Sequence, residues 1–172
     1  MVRVILPFRA VNRRGAPDHD PGLQRHHLLP RQLLARRCFG RLFDRLGLDR
    51  IGFDDFRRNG LLLPANDDAA LRMALPLHRG PHRQYNAMVI ERVGQIEAHW
   101  AHRHAGRPDD ALEEAHMRLS LLQRALQRRL LDHTRRRIAL NRRDPVQNAA
   151  AFADLDAMAD ALWGATSVQL PQ

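Results

Sequence analysis

Arg25-His26-His27-Leu28-Leu29-Pro30 sets two adjacent imidazoles ahead of an apolar pair and a proline. Leu23–Leu29 has strand character, and Pro30 ends it. Side chains alternate across a strand. A regular backbone therefore turns only one of His26 and His27 toward a given partner, and both reach one site only if the chain bulges or twists. Downstream, Asn59-Gly60 is a turn signal, and Leu61–Leu63 is a short apolar strand stopped by Pro64.

The partner stretch is His78-Arg79-Gly80-Pro81-His82-Arg83-Gln84-Tyr85-Asn86. A helix is predicted from His78, since Pro is accepted in a first turn. It carries an apolar stripe at Tyr85, Val89, Val93, Ile96 and Trp100 and ends near His104–Gly106. Positions i and i+4 share a helix face, so His78 and His82 point together, with Asn86 one turn further on. Three neutral imidazoles hold a divalent transition ion. Phosphodiester cleavage needs an activated water and a charge sink at the scissile phosphate. A ligated imidazole cannot accept a proton but a free one can. One of His26 and His27 is therefore expected to bind metal and the other to act as base. His19, His99, His102, His104, His116 and His133 are expected to be exposed or capping residues.

Outward from these segments the chain divides into an arm (1–22), a core (23–107) and a helical extension packed on it (108–172). The arm holds a brief strand at Val2–Leu6. Arg31–Leu46 is predicted helical through Leu33, Leu34, Cys38, Leu42, Phe43 and Leu46, closed by Gly47, and Leu48–Arg57 is predicted loop. Asn66-Asp67-Asp68 caps a short helix at Ala69–Leu75. Pro108-Asp109-Asp110 opens a helix through Leu112, Ala115, Leu119, Leu122, Leu126 and Leu130, its acidic start and Arg-rich end complementing the dipole. Pro145 breaks it, and a last helix spans Ala149–Leu162. The fold class is α+β, mostly helical.

The 172 residues suit one domain with appended helices, and 44% are hydrophobic, with aromatics only 5%. The net charge is +9, carried entirely by Arg, a planar fork that grips phosphate. An Arg-rich composition also follows from genome base content, so charge alone does not specify a nucleic-acid partner. The single cysteine, Cys38, excludes an internal disulfide and any multi-cysteine zinc site and is expected to be a buried small hydrophobe. The N-terminus lacks a secretory signal, and no run reaches the ~18 apolar residues of a membrane span. No membrane partner is expected.

The segments at 26–30, 59–64 and 78–86, in this order and spacing, resemble the AHH family of bacterial toxin nucleases, a branch of the HNH (ββα-metal) endonucleases. The resemblance covers about residues 24–95. Arg25 stands where the family has Ala. The resemblance implies a small ββα-metal core: a hairpin of the two strands, crossed by the helix from His78. It implies one divalent metal ion (Mg2+, Mn2+, Zn2+ or Ni2+) held by His26, His78 and His82, with His27 as general base. Asn59 would orient that base from within the hairpin. Asn86 would be an extra ligand or phosphate contact, Tyr85 would pack beside the site, and Arg25, Arg79 and Arg83 would meet nucleic acid. The Arg cluster at Arg128, Arg129 and Arg135–Arg137 fits nucleic-acid contact and a solvated helix end equally. The resemblance also implies a non-specific DNase, RNA not excluded, used as an antibacterial effector with a small acidic immunity protein as partner. It would act in a target cell's cytoplasm after signal-independent delivery, or in the cytoplasm. Two alternatives stay open: a nucleic-acid-binding module with a structural His-bound metal, and a helical interaction protein with incidental histidines.

Overall fold

The computed structural model describes residues 4–132 and 138–145. Two strands, β1 (Leu23–His27) and β2 (Gly60–Pro64), form the sheet. They pair antiparallel without a slip, from Leu23 opposite Pro64 to His27 opposite Gly60. Between them lie α1 (Arg37–Leu46), α2 (Leu48–Ile51) and α3 (Phe56–Asn59), so the hairpin is not local. After β2 come α4 (Asp67–Met73), α5 (Arg83–His104) and α6 (Pro108–Leu130). The fold is α+β and mostly helical.

One apolar cluster joins all of it. α5 buries Tyr85, Val89, Val93, Ile96 and Trp100, the stripe seen in the sequence. α6 buries Ala111, Ala115, Leu119, Leu126 and Leu130 into the same cluster, and α1 adds Phe39, Leu42, Phe43 and Leu46. Where α5 and α6 meet, Glu114 accepts hydrogen bonds from Arg103 and Arg118, each at 2.6 Å, and pairs with His99 at 3.2 Å. His99 is therefore a half-buried link between helices. Asn66 caps α4 by accepting from the Ala69 N–H at 2.9 Å.

Several boundaries differ from expectation. The helix predicted from Arg31 begins at Arg37, preceded by a 3-10 turn at Arg31–Leu33. At 100° per residue, a continuous helix would swing Leu33 about 130° from the centre of the Phe39/Leu42/Phe43/Leu46 stripe; the break lets Leu33 enter the core fully. The same phase leaves Cys38 exposed rather than buried. Leu48–Arg57 is not a loop but holds α2 and part of α3, the latter capped by the Asp55 side chain. The described end of the predicted Val2–Leu6 strand is not a strand. Leu6 instead donates its N–H to Asp55 Oδ1 and accepts from the Phe56 N–H, and Pro7, with no N–H, cannot extend a ladder. α6 stops at Leu130, well before Pro145, and residues 138–145 return to pack over the β2–α5 connection. Ala149–Leu162, His133 and Arg135–Arg137 lie outside the described residues.

Asn59-Gly60 is no hairpin turn. Gly60 is extended (φ −113°) and opens β2, while Asn59 ends α3. Glycine is required there by contact: a Cβ would sit 2.2 Å from the Phe56 ring. Gly60→Ala is expected to cost about 1–3 kcal/mol by overpacking, measured by denaturant unfolding; unchanged stability would show that Phe56 moves aside freely.

Candidate active site

β1 is regular, and alternation decides its two histidines. His26 is buried and faces the start of α5; His27 lies on the opposite face. The His26 ring lies 4.9 Å from that of His78 and 5.7 Å from that of His82, and those two are 4.4 Å apart. One ligand nitrogen from each falls within 4.8 Å of the others. The structure brings together His26, His78 and His82, and His27 is not in the group.

His78 and His82 do not meet as i and i+4 on a helix. α5 begins at Arg83, and the two histidines lie on the segment before it. Gly80 has φ +80°, which glycine adopts without strain, and Pro81 disfavours a helical residue before it. The resulting turn folds His82 back beside His78. The His78 N–H donates to the Pro64 carbonyl at 2.7 Å, tying the segment to the end of β2.

Second partners orient the rings. His78 Nδ1 lies 3.2 Å from Gln24 Oε1, and His82 Nδ1 lies 3.2 Å from the Leu140 carbonyl. With protons on both Nδ1 atoms these contacts are hydrogen bonds, and each Nε2 is left bare for a ligand. His26 Nε2 is buried with no hydrogen-bond partner in its surroundings. A buried imidazole nitrogen without a partner, beside two oriented imidazoles, fits a divalent cation's donor set. Burial pushes His26 down to about 2, assisted by His78, His82 and His27. Burial likewise pushes His78 down to about 4, assisted by His82 and His27. Both are neutral at ordinary pH, the form that ligates.

His27 stacks face to face on Phe8, ring centroids 3.7 Å apart and planes within 1°. Burial, assisted by Arg31 and Arg25 against an opposing pull from Asp54, lowers it to about 4. Arg25 donates to the Phe8 carbonyl at 2.8 Å, so its guanidinium braces the arm against β1.

Asn59 makes no hydrogen bond to His27; it is a fully buried clamp on the chain just beyond it. Its Oδ1 accepts from the Leu29 N–H at 2.7 Å, and its Nδ2 donates to the carbonyls of Phe53 (2.9 Å) and Leu29 (3.3 Å). Gln123 of α6 donates to the same Oδ1 at 3.3 Å. The Leu28 N–H donates to the Asn59 carbonyl, and the Tyr85 hydroxyl, whose pKa burial raises, donates to the Leu28 carbonyl at 2.7 Å.

Arg79 and Arg83 are exposed on either side of Pro81. Asn86 donates to Gln32 Oε1 at 3.4 Å and lines a cleft of about 400 Å³ with His82, Arg83 and Arg36. Sequence reasoning missed Phe8, Gln24 and Leu140. Gln24 had a signal: two residues before His26, it shares that strand face. Phe8 and Leu140 had none.

A short antiparallel pair, helix α5 and three histidines drawn from β1 and from the segment that leads into α5 define a ββα arrangement around one candidate cation site. The chain belongs to the AHH family, a nuclease family of the HNH/ENDO VII superfamily with conserved AHH, whose model matches residues 8–126. No curated protein and no solved structure matches the chain. Among the described residues no helix is long and apolar enough to cross a membrane.

Proposed function

We propose that the chain is a metal-dependent endonuclease of HNH type, a DNase without sequence preference that serves as an antibacterial toxin or effector domain. The observation that carries this is the partnerless buried Nε2 of His26 beside His78 and His82. These three residues hold one divalent ion, which when bound stabilises charge on the scissile phosphate and its leaving oxygen. His27 stays unligated and neutral, free to take a proton from the attacking water on a ring nitrogen. Asn59 positions His27 through the backbone at Leu28–Leu29. Arg25, Arg79 and Arg83 meet backbone phosphates, and Asn86 adds a ligand or a phosphate contact. The +9 charge suits both a polyanionic substrate and capture by a small acidic immunity protein. Such a protein acts in the cytoplasm of a target cell.

The test is digestion of supercoiled plasmid by purified protein. Nicking is expected with added divalent ion, to fall at least about a hundredfold on exhaustive chelation, and to return with metal. Nicking that survives chelation removes the metal mechanism. Failure to nick at any metal concentration removes the endonuclease assignment, and a parallel RNA substrate decides between the two nucleic acids.

A further inference from the structure

We propose that the cleft between the His78–Gln84 segment and residues 139–143 is a second phosphate-binding subsite. It holds a backbone phosphate of the nucleic acid next to the one that is cut, and it rests on the nuclease reading above. The cleft has a volume of about 720 Å³ and is lined by Arg79, Arg83, Arg142 and Arg143. Among the described residues none of these four guanidinium groups has a carboxylate partner. Asp67 lines an adjoining cleft with Arg79 and Arg143 rather than this one, and Asp144 is buried and bonded to the Leu77 N–H. Four like charges around one cleft repel each other, and an anion between them relieves that repulsion. Arg forks match phosphate oxygens in pairs.

The cleft adjoins the histidine cluster directly. Pro81, beside His82, forms part of its wall, and Leu140, another wall residue, offers its carbonyl to His82 Nδ1. The turn that carries Arg142 and Arg143 is pinned. Asn141 donates to the Arg79 carbonyl at 2.6 Å, and its Oδ1 accepts from the Arg143 N–H at 2.9 Å. Asp144 accepts from the Leu77 N–H at 3.3 Å. Two guanidinium groups are thus presented from a fixed backbone, on a segment beyond the family-matched residues 8–126.

The experiment measures binding of a fluorescent DNA duplex by anisotropy across a salt series, with chelator present so that nothing is cut. The double variant Arg142→Ala/Arg143→Ala is expected to raise Kd at least about tenfold at low salt. It should also flatten the slope of log K against log salt by about 1–2, the loss of one or two phosphate contacts. Arg41→Ala/Arg45→Ala removes the same charge from the exposed face of α1 and is expected to change the slope by less than half as much. No change in the first variant, or equal change in both, overturns the subsite. Metal-supported plasmid nicking by the unaltered protein is scored separately: its absence sinks the nuclease reading, while the salt slopes still decide the subsite.

Discussion

His27→Ala is expected to slow plasmid nicking by about 10²–10⁴-fold, the usual contribution of a general base. Metal stoichiometry and DNA affinity should persist. The reasoning is geometric. His26 turns inward to His78 and His82, and strict alternation along β1 turns His27 away from them. An imidazole outside the ligand group keeps a lone pair for a proton. Its ring is held against Phe8, and burial keeps it neutral at physiological pH. His82→Ala, by contrast, deletes one of the three proposed ligands and should lose metal and activity together. Nicking by His27→Ala at the unaltered rate would strip this residue of its role; loss of metal from the same variant would instead move it into the ligand set.

Asn59→Ala is expected to destabilise the fold by about 3–5 kcal/mol. The substitution leaves the Leu29 N–H and carbonyl, the Phe53 carbonyl and the Gln123 amide without their present partner in a buried place. Each unmet group costs about 1–3 kcal/mol, partly recovered where the chain relaxes. Asn59→Asp keeps the shape and the acceptor but turns both donors into a charge facing two carbonyls, so it should be no milder at neutral pH. Denaturant unfolding measures both, and a loss below about 1 kcal/mol for Asn59→Ala would show that the clamp is dispensable.

Long periodic elements were legible in the sequence. The α5 stripe from Tyr85 to Trp100 and the α6 pattern from Ala115 to Leu130 bury as their spacing predicts, because one face repeats over many turns. Short segments were not. Gly80-Pro81 looked compatible with a first helical turn, yet Gly80 takes a left-handed conformation and α5 starts two residues after Pro81. Asn59-Gly60 carries the strongest local turn signal, but tertiary demands override it: the amide is needed inside, and Phe56 leaves no room for a Cβ. The contribution of residues 138–145 was invisible, since the match of Leu140 to His82 and of Asp144 to Leu77 depends on a chain reversal without a periodic pattern. Of the site, the choice of His26 over His27 came only with the family resemblance, while His78 and His82 could be named from type and spacing. Their orienting partners could not, Gln24 excepted.

The two strands of the hairpin meet across residues 28–59, so His26 cannot approach His78 and His82 until α1–α3 have gathered the intervening chain. Closing a segment of that length costs on the order of 3 kcal/mol of chain entropy. Contacts so distant in sequence form slowly. The candidate cation pocket is therefore a late product of folding: a chain that has lost its hairpin has lost the pocket with it, and must gather α1–α3 again before the three imidazoles can meet. A divalent ion held by those three imidazoles would then act as a latch, favouring the finished fold over every earlier one.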